Sequence, residues 1–321
     1  MLNYRTVHLE LSSKCVLKCP RCPRTELNLD RLNQEITLAD FKSGFPVDVL
    51  NKIEHFIFCG DIGDPIYATE FLEIIEYIKQ NSPTRIRITT NGSYKRADWW
   101  QQLGGYLDYN DQVTFSIDGW DDASNNQYRV NSDFDSIMLG IKALRTSSNC
   151  SIQWSTIYFA FNQHKITDIK ELAKSLGCNK FQTVKSSKFD GRYMSGELDP
   201  LKPASELVAN TLVYETNVAM INSSKYIPIV PATPVHPHRW AKCLNYKKDL
   251  FVGIDGLVAP CPWFNNGYQD NDFVTANYEK LSIKNRSFFD ILNDTELWQQ
   301  LVNRFNTDPL EICQLKCKND C

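Results

Sequence analysis

What this sequence lacks narrows it first. No stretch approaches the ~18 consecutive apolar residues of a membrane-spanning helix, so no membrane partner is expected. The N-terminus, MLNYRTVHLELSSKC, has no basic region leading into an apolar core and a small-residue cleavage site, so nothing marks it for secretion. Charge of one sign is also missing. The 35 Lys and Arg against 38 Asp and Glu leave a net charge of -3, which gives no electrostatic reason for a standing nucleic-acid partner. Internal repeats and low-complexity tracts are absent. The 321 residues, 42% hydrophobic and 23% charged, have ordinary globular proportions and the length of about two domains. A cytoplasmic protein is expected.

Cysteine, by contrast, is abundant. Eleven cysteines are explained either by disulfides or by metal, and the two predict different compartments and chemistry. An odd total fits a closed disulfide framework poorly, and in a reducing cytosol clustered cysteines more often ligate metal. Cys15, Cys19 and Cys22 stand near one end; Cys243 and Cys261 lie in the last quarter; Cys313, Cys317 and Cys321 end the chain. Cys59, Cys150 and Cys178 are solitary and read as small buried hydrophobes. His236 and His238, in a proline-rich stretch, read as packing or exposed residues rather than a metal pair.

Between the cysteine groups, short β-like and longer helix-like segments alternate. Strands are expected at residues 6–11, 55–59, 85–90, 112–117, 152–159 and 181–185, with helices at 67–80, 95–103, 134–145 and 167–176, the last closed by Gly177. Such alternation implies parallel strands with right-handed crossovers, hence an α/β barrel or open barrel. Residues 186–240 break the rhythm with IPIVPATPVHPHRW and read as a connector with one helix at 205–216. Beyond it a hairpin at 250–258 turning on Asp255-Gly256 and a helix at 287–305 are expected. Trp99, Trp100, Phe288, Ile291 and Trp298 read as core.

The sharpest motif is Cys15-x3-Cys19-x2-Cys22, in a loop directly after the first strand. At this cysteine frequency chance supplies such a pattern roughly 0.01 times per chain. Three thiolates from one short loop can hold three irons of a 4Fe-4S cube and leave the fourth open. A zinc knuckle is the alternative, but it wants a fourth protein ligand nearby, and the nearest histidine, His8, is on the preceding strand.

C-x3-C-x2-C after the first strand of a repeating strand-helix pattern resembles the radical S-adenosylmethionine (radical SAM) enzymes, over about residues 4 to 185. Residues 58–65, FCGDIGDP, are similar to that family's Gly-Gly-Glu-Pro segment, one or two residues longer and ending in Asp64. ITTNGS at 88–93 is similar to its third-strand ending, and Ser116-Ile117-Asp118-Gly119 to its fourth-strand motif. The resemblance implies SAM contacts at Gly60, Gly63, Asp64, Asn91, Ser116, Asp118, Arg129 and Asn162, and a 4Fe-4S cluster on Cys15, Cys19 and Cys22. Arg21 departs from the pattern, since many members have an aromatic residue there.

The later cysteines resemble the auxiliary-cluster modules of the same superfamily, called SPASM and, when shortened, twitch domains. The full pattern has seven or more cysteines. Here Cys243, Cys261, Cys313, Cys317 and Cys321 make five, enough for one auxiliary 4Fe-4S cluster with a spare. Cys243, Cys261, Cys313 and Cys317 are the expected ligands, with Cys321 as replacement; a zinc-ribbon-like staple is the alternative. The implied architecture is a partial (β/α)6 TIM-like barrel (1–185), a connector (186–240) and a small α+β iron-sulfur domain (241–321). The implied activity is reductive SAM cleavage and hydrogen abstraction from a peptide, protein or small molecule, fed by a one-electron reductant such as flavodoxin or ferredoxin. The first strand begins so early that no separate N-terminal recognition domain is expected. A non-enzymatic iron-sulfur carrier or zinc protein is the rival class.

Overall fold

The computed structural model of the protein describes residues 5–26, 28–29, 32–186, 189, 199–204, 211–213, 249–264, 271–311 and 313–314. Six strands alternate with helices: β1 (Thr6–Leu9), β2 (His55–Phe58), β3 (Arg85–Thr90), β4 (Gln112–Ser116), β5 (Ser151–Ile157) and β6 (Lys180–Val184). They lie side by side in chain order, all parallel. The register sets Leu9 against Phe58, Phe58 against Ile88, and Ile88 against Val113.

Alternation decides which face is which. In β3 Ile86 and Ile88 are buried while Arg85 and Arg87 are exposed, so one face packs under helices and the other is polar. The helices are α1 (Pro23–Glu26), α2 (Leu38–Gly44), α3 (Val47–Leu50), α4 (Phe71–Asn81), α5 (Ala97–Tyr106), α6 (Asp122–Asn125), α7 (Phe134–Ser147) and α8 (Ile166–Ser175). Helix α7 shows why they dock: Ile137, Ile141 and Leu144 fall on one stripe and are fully buried, each contributing roughly 1.5–3 kcal/mol. Trp100 of α5 and Phe115 of β4 join the same core, their rings 5.0 Å apart.

Both edges of the sheet differ from simple alternation. Beside β6 lies β7 (Thr211–Val213), antiparallel, where a helix over 205–216 was expected. Its Thr-Leu-Val sequence is β-branched on both sides, and it satisfies backbone groups that β6 would otherwise leave open. On the other edge β8 (Asp249–Val252) pairs in parallel with β1, and β9 (Val258–Ala259) returns antiparallel. This is the expected hairpin, with Gly256 at a φ of 83° that only glycine adopts cheaply. Its strands extend the barrel sheet itself, giving nine strands in one sheet among the described residues. The fold is an α/β partial barrel.

Four helices follow: α9 (Asp272–Ala276), α10 (Tyr278–Leu281), α11 (Phe288–Leu292) and α12 (Thr295–Thr307). The single helix expected at 287–305 is two, because Asp294 leaves the helix to cap the next one, accepting from the Leu297 amide at 3.1 Å. Phe288, Ile291 and Trp100 are fully buried, with Trp99 and Trp298 packed against the core, as the sequence implied. Cys150 and Cys178 are also core residues, whereas Cys59, read with them as a buried hydrophobe, is half-buried at the end of β2 and outside the core cluster. His236 and His238 lie outside the described residues.

Candidate functional site

β1 delivers the chain into the cysteine loop at the C-terminal end of the parallel sheet, where α/β barrels gather their chemistry. Leu17, 3% exposed, anchors the loop by packing with Cys19 against Tyr128, Phe159 and Phe189. Its backbone is tied on two sides. The Lys18 amide donates to the Val130 carbonyl at 2.9 Å and Asn131 Nδ2 to the Val16 carbonyl at 2.7 Å; the Ser13 amide donates to the Gln34 carbonyl at 3.0 Å. The Cys22 amide donates to the Cys19 carbonyl at 3.1 Å and closes the turn between them. The three thiols therefore sit on a fixed frame.

Burial pushes Cys15 up to about 12, and the nearby charges of Asp64, Cys19 and Cys22 push the same way. Burial also raises Cys19, to about 11, although the Arg129 guanidinium beside it works to lower it. Thiols so desolvated keep their protons until a metal displaces them. Among the described residues no three His, Cys, Asp or Glu side chains converge on one point as they would round a single ion. A four-iron cube asks something else: one thiolate on each of three separate irons. Three mutually sensed thiols on one braced loop suit that demand.

The loop after β2 is pressed onto this frame. The Asp64 amide donates to the Lys14 carbonyl at 2.9 Å. A Cβ on Gly63 would stand 1.8 Å from the Ser12 carbonyl oxygen, and one on Gly60 1.8 Å from the Gly63 carbonyl oxygen, so only glycine permits the approach. Glu10, 3% exposed, holds the same loop from below: its Oε1 accepts from the Asp61 amide at 2.6 Å and the Ile62 amide at 2.7 Å. Asp64 joins it to β3. One carboxylate oxygen accepts from the Asn91 amide at 2.7 Å, Asn91 Nδ2 at 2.6 Å and Thr90 Oγ1 at 3.1 Å. Asn91 Nδ2 also reaches Cys15 Sγ at 3.7 Å. Tyr67 donates its hydroxyl to the Ser93 carbonyl at 2.6 Å and, with Cys15, lines a cavity of about 420 Å³.

On the other flank, Asp118 follows β4 with its side chain fully buried. It accepts from the Ile157 amide at 2.7 Å, and its second oxygen pairs with Arg129 Nε at 2.7 Å, a charge contact rather than an aligned hydrogen bond. Asn162 is buried too: its Nδ2 donates to the Asp118 and Ile157 carbonyls at 2.8 and 2.9 Å, and its Oδ1 accepts from the Phe159 amide at 2.9 Å. These three knit the β4 and β5 ends together beside Cys19. Ser116, half-buried, ends β4. Arg21 pairs through Nε with Asp199 at 2.9 Å, which ties the cysteine loop to the segment beyond β6.

The family model of the Radical SAM superfamily matches residues 9–176, more than half of the chain and the span that holds the three cysteines and the loops after β2 to β5. The chain belongs to the radical SAM superfamily. Membership implies SAM and a 4Fe-4S cluster, and the cysteine loop is where the residues fit one. Among solved structures, the chain is similar to Streptococcus suis SuiB bound to S-adenosylmethionine at 14% identity and a TM-score of 0.62, covering 92% of this chain and 67% of that one. SuiB bound to the precursor peptide SuiA matches at 14% identity, with a TM-score of 0.60 over 92% and 66% of the two chains. Native anSMEcpe with bound AdoMet matches at 14% identity, with a TM-score of 0.57 over 92% and 82%. At that identity the likeness is one of fold. No curated protein matches the sequence.

For this radical SAM chain, the residues implied by sequence resemblance fall in two groups. Asn91 and Asp64 stand beside Cys15, with Gly63 packed on the Ser12–Ser13 backbone and Gly60 on Gly63; Arg129 and Asp118 stand beside Cys19, with Asn162 bonded to the Asp118 carbonyl and Ser116 at the end of β4. Cys243, Cys317 and Cys321 lie outside the described residues. Cys313 is buried and Cys261 half-buried, both at the core of the C-terminal segment. Two further residues carry no motif in the sequence: Glu10 is marked only as a lone carboxylate between Leu9 and Leu11 at a strand end, and Tyr67 blends into the apolar stripe of the segment that follows it.

Proposed function

We propose that this protein is a radical SAM enzyme that oxidatively modifies a peptide, protein or small molecule. The observation that supports it best is the cysteine loop braced on both flanks at the C-terminal ends of the parallel strands, inside the span the family model matches. The chemistry a cluster and SAM supply there is reductive cleavage to methionine and a 5'-deoxyadenosyl radical that takes a hydrogen atom from the substrate. The chain's own part is placement. Cys15, Cys19 and Cys22 hold the cluster. Gly60 and Gly63 keep side chains out of the loop so that its backbone can face SAM, and Asp64 and Asn91 lock that loop against Cys15. Arg129 keeps positive charge beside Cys19, and Ser116 offers a hydroxyl at the strand end.

The proposal extends to residues 241–321 as an auxiliary module, following a core at 1–185 and a connector at 186–240. Cys243, Cys261, Cys313 and Cys317 are its proposed ligands, with Cys321 in reserve. An external reductant such as flavodoxin or ferredoxin supplies the electron. SuiB in complex with its precursor peptide, a protein of like fold, favours a peptide among the substrate classes. Iron and sulfide measured on anaerobically prepared protein test the module: about eight iron per chain are expected from two four-iron clusters. Zinc in the C-terminal segment, with about four iron in total, would overturn it.

A further inference from the structure

The polar face of the sheet carries charge that the site above does not use. Arg85 and Arg87 of β3 point away from the helices and are exposed. Lys180 of β6 is half-buried on the same face and donates to Gln112 Oε1 at 3.0 Å. Gln112, Gln153 and Gln182, on three successive strands, continue the row: Gln112 Nε2 lies 3.5 Å from Gln153 Oε1, and Gln153 Nε2 donates to Gln182 Oε1 at 2.6 Å. The three lie on one face because their strand positions share parity, and Gln112 links the two cations, since it is paired with Arg87 in the β3–β4 register and accepts from Lys180. The positive charge of Arg87 adds to burial in lowering the lysine. His55 of β2, half-buried, is lowered by burial and then by Arg87 and Arg85, with Glu54 and Asp249 pulling more weakly the other way.

Like charges gathered on a half-buried face repel, and neutral glutamines do not offset them. Among the described residues no carboxylate forms an ion pair with Arg85, Arg87 or Lys180, and the neighbouring Glu54 is paired to Arg5. Guanidinium presents a planar fork suited to carboxylate and phosphate, and an ammonium in contact with one glutamine keeps further donors. The position is also informative. Arg87 precedes Asn91 by four residues, about 13 Å along the strand direction, and Asn91 touches Cys15.

We propose that Arg87 and Lys180, flanked by Arg85, form a subsite on the concave face of the sheet for an anionic group of the substrate, a carboxylate or a phosphate. The group lies about 13 Å along the strand from Asn91, at the end of the sheet that carries Cys15. That the anion belongs to the substrate rests on the proposed function; the anion binding does not. The glutamine row lines the path between the two ends and offers both donors and acceptors to a polar substrate.

Calorimetry on the anaerobically prepared full chain tests this with two probes, inorganic pyrophosphate and an end-blocked Glu-Glu dipeptide, against end-blocked Gln-Gln as the neutral comparison. At least one anion is expected to bind while Gln-Gln binds more weakly. That affinity should fall about tenfold in Arg87→Gln and in Lys180→Gln, the loss of about one charge-assisted contact. It should not change in Arg96→Gln, which removes an exposed arginine paired with Asp98 on the helical side. Binding of pyrophosphate alone identifies a phosphorylated small molecule; binding of Glu-Glu alone identifies an acidic peptide; binding of both leaves the shared anion chemistry supported. Circular dichroism and iron content matching wild type establish that each variant is folded. No binding of either anion, or equal weakening in Arg96→Gln, overturns the proposal. Because binding is read without turnover, a wild-type chain that fails to cleave SAM would overturn the proposed function and leave this result standing.

Discussion

Single side chains carry more of this site than their number suggests. Glu10 is fully buried, and desolvation raises it from an ordinary 4.5 to about 7 against the pull of the loop amides it holds. Between those two pH values the folded protein keeps a proton that the unfolded chain has lost, so this group's contribution to stability is present below 4.5 and is lost as pH rises through 7. The expected size is about 3 kcal/mol. Urea unfolding of Glu10→Gln against wild type should show a flatter pH dependence from 5 to 7 in the variant; parallel curves would contradict the reading. Arg129 gives a second case. Replacing it with Met strands the buried Asp118 carboxylate and should cost about 3–5 kcal/mol in the same assay, while Asp118→Asn combined with Arg129→Met should recover much of the loss. The three cysteines were legible in the sequence because spacing alone identified them. Asp64 and Asn162 were named by the family resemblance, but the distant backbone groups they hold, the Asn91 amide and the Asp118 carbonyl, like the Asp61 and Ile62 amides on Glu10, follow no local pattern.

At the level of elements, the loops after β1 and β2 behave as one part. Gly63→Ala forces a Cβ to 1.8 Å from the Ser12 carbonyl and should cost about 1–3 kcal/mol while weakening SAM binding. Gly105→Ala is the contrast, since nothing lies within 4 Å of its Cβ and α5 should gain about 0.5–1 kcal/mol. Thermal unfolding and equilibrium dialysis with labelled SAM measure both. The six parallel strands could be read from alternation and from turn residues, and their helices from apolar stripes. β7 could not, because a three-residue edge strand is fixed by the open side of β6 rather than by its own period. The split at Asp294 was hidden for a related reason: the apolar stripe of α11 and α12 runs on while an aspartate cap interrupts the backbone.

Across the whole molecule, one sheet unites the barrel with the C-terminal hairpin, since β8 pairs with β1, the strand that feeds the cysteine loop. A proposed auxiliary module would therefore be anchored by the hairpin next to the strand leading to the first cluster. The central claim is that the Cys15, Cys19 and Cys22 loop makes this chain a SAM-cleaving enzyme. The most direct measurement is 5'-deoxyadenosine formation from SAM by anaerobic, cluster-loaded protein, with and without dithionite, for wild type and for the chain with all three cysteines changed to Ala. The account predicts reductant-dependent product from wild type, none from the triple variant, and iron falling from about eight to about four per chain. Wild-type protein with intact clusters that never cleaves SAM, or a triple variant that still does, would contradict it.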